Sequence, residues 1–141
     1  MGAKQQIFVD TSGFYALLVA KDEAHEDAAS VLKNAQQSRR GFVTSDYVLD
    51  ETATLLRARG FLHLLTPFFD AVMASRACHV EWISPERFSQ ARQSFLTHAE
   101  RGWSFTDCVN FSLMKEFHLK EALSKDGHFR EAGFTPLLAP A

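Results

Sequence analysis

The chain has 141 residues, 46% of them apolar, which is enough to bury a core and short enough to expect one domain over residues 1–141. A net charge of −2 excludes a global basic field for nucleic acid, so any polyanion would need a local site or a bound metal. No apolar run approaches the length of a membrane span, and the N-terminus lacks the charged segment and apolar core of a signal peptide, so a soluble protein without membrane partners is expected.

Taken in chain order, the apolar period switches between short runs and helical spacing, as in an α/β domain. The first strand is expected at 6–10, apolar on both faces like the centre of a parallel sheet. A helix follows from Ser12 to Ala20. Ala28, Val31, Leu32 and Ala35 place a second helix over 24–38, and "FVTS" gives a strand at 42–45. Ser45 is then a natural N-cap for a helix over 46–59 that ends at Gly60. "FLHLLTPFFDAVMAS" is helical in period, with Pro67 either kinking it or starting a second piece after Thr66. "CHVEWIS" is the next strand, 78–84, and Ser84-Pro85 opens another helix. "SFTDCVNFSLMKEFH" gives a helix over 106–118. "EALSKD" is a fourth strand, and "FTPLL" a weak fifth whose Pro136 fits only a sheet edge. The order β-α-α-β-α-α-β-α-α-β-β favours a mostly parallel sheet of four or five strands flanked by helices.

Cys78 and Cys108 show no metal-ligand spacing and read as reduced, buried thiols of a cytoplasmic protein. The acids carry more. In a parallel sheet, ligands bind beyond the carboxyl ends of the strands. Asp10 and Asp126 end the first and fourth strands, Asp107 opens the helix that follows "SF", and Glu51 lies one to two turns into the helix after strand two. Asp10 alone could be a helix cap, Asp107 a helix-terminus acid and Asp126 a turn residue. Asp50 competes with Glu51, but Glu51 shares the expected buried side with Val48 and Leu55. Four carboxylates brought to one edge would repel without a cation. A hard divalent ion such as Mg²⁺ removes the conflict and supports phosphodiester hydrolysis.

Quoted in order, "IFVDTSGFYAL", "TSDYVLDETATLL", "SFTDCVNFSLM" and "ALSKDGHFREAGF" resemble the four acidic motifs of PIN-domain ribonucleases, nearest in type to VapC toxins of toxin–antitoxin systems. The resemblance implies a three-layer α/β/α sandwich and Mg²⁺- or Mn²⁺-dependent cleavage of RNA, with transfer or ribosomal RNA as substrate classes. It also implies an antitoxin partner, while the apolar excess of the helix around Pro67 offers either a homodimer face or a groove for an antitoxin helix. Carried over, Asp10, Glu51, Asp107 and Asp126 form the metal site, and Ser12 and Thr106 are hydroxyls that position a ligand or water. Asn110, one turn past Asp107, has two readings, a support for the site or a helix-surface residue. His128 could be read as a base, but a capping or packing role is expected. The fourth motif departs from the family where an aromatic and an Arg are common, having Lys125 and Gly127 instead.

Other readings compete. A phosphatase of the haloacid-dehalogenase type needs a second Asp where Ser12 stands. A non-catalytic module would use the same acids only to bind metal or a basic partner segment. The helix around Pro67 carries more apolar residues than one face needs, which points to a partner surface.

Overall fold

The computed structural model describes residues 5–139. Five strands form one parallel sheet in the order β3-β2-β1-β4-β5, with β1 at Ile7–Val9, β2 at Phe42–Ser45, β3 at Cys78–Glu81, β4 at Glu121–Leu123 and β5 at Thr135–Pro136. Ile7, Phe8 and Val9 are all buried although they alternate in direction, so both faces of the sheet are covered. This is the α/β/α architecture expected from the sequence.

Between the strands run α1 (Thr11–Leu18), α2 (His25–Gln37), α3 (Asp46–Ala58), α4 (Leu65–Ala74), α5 (Pro85–Thr97), α6 (Phe105–Glu116) and α7 (His128–Glu131). Serines and one aspartate begin most of them: Asp10, Ser45, Ser84 and Ser104 each accept a backbone N–H from the first turn they precede. Pro85 sits at the start of α5, where its missing N–H costs nothing.

The boundaries that differ have local causes. The segment around Pro67 is two pieces, a 3₁₀ turn at Leu62–Leu64 and then α4, with Pro67 inside the first turn of α4. That is the second of the two readings of Pro67, with the break two residues earlier than Thr66. The third and fourth strands are shorter than expected, since Trp82–Ser84 and Ser124–Asp126 leave the sheet. The four-residue α7 was not anticipated; it carries the chain from β4 to β5 and makes their pairing parallel. Pro136 indeed lies in an edge strand.

The chain proceeds outward from β1 to β3 on one side and from β4 to β5 on the other, so the order reverses between β1 and β4. At such a switch point the loops after the two strands diverge and leave a crevice. Helix α1 closes tightly over it. A side chain at Gly13 would place its Cβ 2.0 Å from the Leu123 carbonyl oxygen, so only glycine allows that approach.

Candidate active site

The crevice is a cleft of about 400 Å³ lined by Asp10, Thr11, Ser12, Glu51, Leu55, Gly102, Ser104, Asp107, Asn110, Asp126 and His128. All four acids singled out in the sequence line it, delivered by β1, α3, α6 and the β4–α7 turn.

Asp10 caps its helix, as the sequence allowed, and also lines the cleft. Its Oδ1 accepts from the Gly13 N–H at 2.9 Å, capping α1, and from the Ser12 hydroxyl at 2.9 Å. Its Oδ2 accepts from the Ser124 hydroxyl at 2.6 Å. Burial pushes its pKa from 3.8 up to about 6; the three hydrogen bonds oppose that shift, and the nearby charge of Asp126 adds to it.

Asp107 forms a capping box with Ser104. The Ser104 N–H donates to Asp107 Oδ2 at 3.0 Å, and the Asp107 N–H donates to Ser104 Oγ at 3.0 Å. The same Oδ2 lies 2.9 Å from Nδ1 of His128. Asp126 Oδ1 accepts from the His128 backbone N–H at 2.9 Å and lies 3.5 Å from the ring Nδ1. Ligand atoms of Asp107, Asp126 and His128 all fall within 4.8 Å of one another. The hydrogen bond to Asp107 raises the pKa of His128, favouring imidazolium, and the charges of Asp126 and Asp107 reinforce it against a smaller desolvation cost.

Glu51 stands apart. The sequence put it on a buried side of its helix, but it is exposed at the cleft rim, where the Thr11 hydroxyl donates to its Oε1 at 3.2 Å. Partial burial of the carboxyl group raises its pKa, the Thr11 hydroxyl opposes this, and the charge of Asp107 adds to it. Thr106 is beside the same carboxylate. Asp50 is absent from the lining of the cleft that holds the other acids.

Asn110 faces the cleft from α6. It is 3% exposed, and its side-chain Oδ1 has no hydrogen-bond partner. A buried amide oxygen without a partner costs on the order of 1–3 kcal/mol and is an acceptor waiting for a donor or a cation.

Two groups escaped the sequence reading. His128 was assigned a capping or packing role, yet its ring lies between two acids. Ser124 was not singled out, although it stands two residues before Asp126 at the end of a buried strand, the same rim argument that found Asp126. Lys125, the departure in the fourth motif, extends to Asp22 at 2.8 Å in the α1–α2 connection. Its place is in holding that connection to the β4 end of the sheet.

Among the described residues, no Lys or Arg forms an ion pair with any of the four acids. An acid cleft at the switch point of a parallel sheet, with only oxygen donors and one imidazole, is the arrangement of a metal-dependent nuclease. The PIN domain family model matches residues 7–135, and the chain belongs to the PIN domain family. It is 36% identical over 129 residues to the 23S rRNA-specific endonuclease VapC20 of Mycobacterium tuberculosis, in each of two strains, covering 91% of this chain and 95% of that protein. The crystal structure of M. tuberculosis VapC20, described as a sarcin–ricin loop cleaving toxin, superposes with a TM-score of 0.80 at 34% identity. That match covers 94% of this chain and 99% of the other.

Proposed function

We infer that this chain is a metal-dependent endoribonuclease, acting as the toxin of a type II toxin–antitoxin pair, with residues 1–141 as one nuclease domain. The observation that carries the reading is the convergence of Asp10, Glu51, Asp107 and Asp126 on one cleft without a fixed cation from any described Lys or Arg. The donor set fits Mg²⁺ or Mn²⁺: carboxylate oxygens dominate, and the unpartnered Asn110 Oδ1 adds a neutral oxygen at the same wall. Asp107 and Asp126 would hold the ion most directly, with Asp10 and Glu51 completing the site. When bound, the ion supplies a Lewis acid that activates water and offsets charge on the phosphate.

The protein's own groups do the rest. Ser104 fixes the Asp107 carboxylate, Ser12 fixes that of Asp10, and Thr11 and Thr106 stand against Glu51. Phosphate oxygens would enter where the acids alone would repel them, so substrate binding and ion binding are coupled.

Likeness to VapC20 over nearly the full length of both chains supports ribosomal RNA as the substrate class, with the sarcin–ricin loop of 23S rRNA as the first target to try. The chain would act in the cytoplasm, and the described residues contain no helix long and apolar enough to cross a membrane. Leu62, Phe69 and Met73 expose apolar surface around α4, and Trp82, Phe88, Phe95 and Leu96 do so around β3 and α5. These two surfaces would serve a second copy of the chain and an antitoxin.

The test is cleavage of end-labelled 23S rRNA fragments, with transfer RNA as comparison, in Mg²⁺, in Mn²⁺ and in EDTA. Discrete cuts are expected in metal only. Asp10→Asn and Asp107→Asn should each lower the rate by about a thousandfold, the scale of several kcal/mol of lost transition-state stabilisation. Cutting that survives EDTA and both substitutions would remove the reading.

A further inference from the structure

We propose that Ser124 is a positioning residue of this site, the joint through which the backbone of the β4–α7 turn sets the carboxylate of Asp10. The inference rests on the nuclease reading above and concerns a residue of the fourth motif that stands two positions before its acid.

Ser124 is fully buried, and every contact of its hydroxyl is assigned. A serine hydroxyl has one proton to give and two lone pairs to receive. The short 2.6 Å contact to Asp10 Oδ2 takes the proton, since a carboxylate can only accept. The Asp126 N–H donates into the hydroxyl oxygen at 2.9 Å. Ser12 repeats the pattern on the other oxygen. Its hydroxyl donates to Asp10 Oδ1 at 2.9 Å and accepts from the Lys125 N–H at 2.9 Å. Both protons being spent on Asp10, the 3.3 Å approach of the two hydroxyls to each other is packing.

Two consecutive amides, Lys125 and Asp126, therefore reach the two oxygens of one carboxylate through two serines. The arms are not equivalent. Oδ1 already accepts twice, from Gly13 and Ser12, and has no lone pair to spare. Among the described residues, Oδ2 accepts only from Ser124 and keeps one. The oxygen of Asp10 still able to face a cation is thus the one that Ser124 aims. The backbone carbonyl of Ser124 also accepts from the Leu138 N–H at 3.1 Å, which anchors the joint to the segment after β5. Aiming one acid while tying it to the segment that carries another is the work of groups behind a metal ligand, and their loss typically costs about 10–100-fold in metal affinity or activity.

The experiment compares Ser124→Ala with Thr44→Val. Thr44 is equally buried, and its hydroxyl bonds to the Val9 carbonyl at 2.9 Å in the neighbouring strand, one peptide before Asp10 but without touching its side chain. Mn²⁺ binding is read by calorimetry without RNA, kcat and KM on the ribosomal fragment, and stability by thermal melting. Ser124→Ala is expected to weaken Mn²⁺ binding and lower kcat, each about 10–100-fold, while KM holds. Thr44→Val should lose stability but neither function. If Ser124→Ala does not fold, Ser124→Cys, which keeps a weak donor of similar size, is read in the same way. Ser124 variants that bind Mn²⁺ and cleave like Thr44→Val overturn the proposal. Asp10→Asn separates the two levels. If it too retains Mn²⁺ binding and cleavage, the placement of the nuclease site on Asp10 fails; if it alone loses both, only the role of Ser124 does.

Discussion

Two groups of carboxylates in this molecule are held in opposite ways. On the outer side of β3, Arg87 lies between Glu81 and Glu116, with Nη2 at 3.1 Å and 2.6 Å from them, Nε at 3.1 Å from the second oxygen of Glu116, and Nη1 at 3.0 Å from the Trp82 carbonyl. In the cleft, four acids share hydroxyls, amides and one imidazole, and no guanidinium or ammonium among the described residues. The first group is complete by itself. The second is built to the same standard of hydrogen bonding but left short of positive charge. The pKa values of Asp10 and Glu51 are raised first by burial, and the charges of Asp126 and Asp107 add to the shift.

The sharpest way to widen the contrast is to supply the missing charge. Mn²⁺ at a hundred times its dissociation constant should stabilise the wild-type protein by about 2.7 kcal/mol, from linkage alone. Asp107→Asn should abolish most of this gain, and Arg87→Ala should leave it intact. Denaturant unfolding with and without the ion measures both. A gain that persists in Asp107→Asn would mean that the ion binds elsewhere.

A second comparison uses protons. The pKa of Asp10 in the folded chain is about 6 against 3.8 for the free side chain, so the folded state holds this proton more tightly than the unfolded one. Its contribution to stability is complete below about pH 4 and is lost as pH rises through 6. Asp10→Asn escapes that loss. In EDTA the variant should be more stable than wild type by about 2 kcal/mol at pH 7.5, somewhat less than the full shift implies because an amide has one acceptor oxygen and cannot serve both Ser124 and the Gly13–Ser12 pair. Near pH 4 the difference should close. A variant less stable than wild type at pH 7.5 would show that the hydrogen bonds of Asp10 outweigh its burial.

How far the sequence could be read follows the same division. Strand and helix order was legible because burial on both faces of β1 and serines before α3 and α5 write themselves into local pattern. The acids were legible because topology alone carries strand ends to one edge. Glu51 was found for a mistaken reason. The helical wheel put it on the buried side, whereas it stands exposed at the rim and is turned into the cleft by Thr11. His128 and Ser124 depend on side-chain direction after a chain reversal, at α7 and at the end of β4, and no periodicity reports on either. The orphan oxygen of Asn110 was one of two open readings. Only its burial and lack of a partner show which way it points.

The smallest effect is expected on the completed side of the contrast. Arg87→Ala would leave Glu81 and Glu116 facing each other and remove a guanidinium stacked 5.5 Å from the Phe117 ring. Because these side chains are 21% to 38% exposed, water screens the repulsion, and the loss should be about 1 kcal/mol, shrinking in high salt. Cleavage should be unchanged, since Arg87 lines a separate surface with Ser112 and Lys115, away from the acids of the cleft. Chemical denaturation at low and high ionic strength, beside the RNA assay, measures the two together. A loss of cleavage with stability retained would join the two regions, and would mean that the charge deficit of the cleft is felt as far as β3.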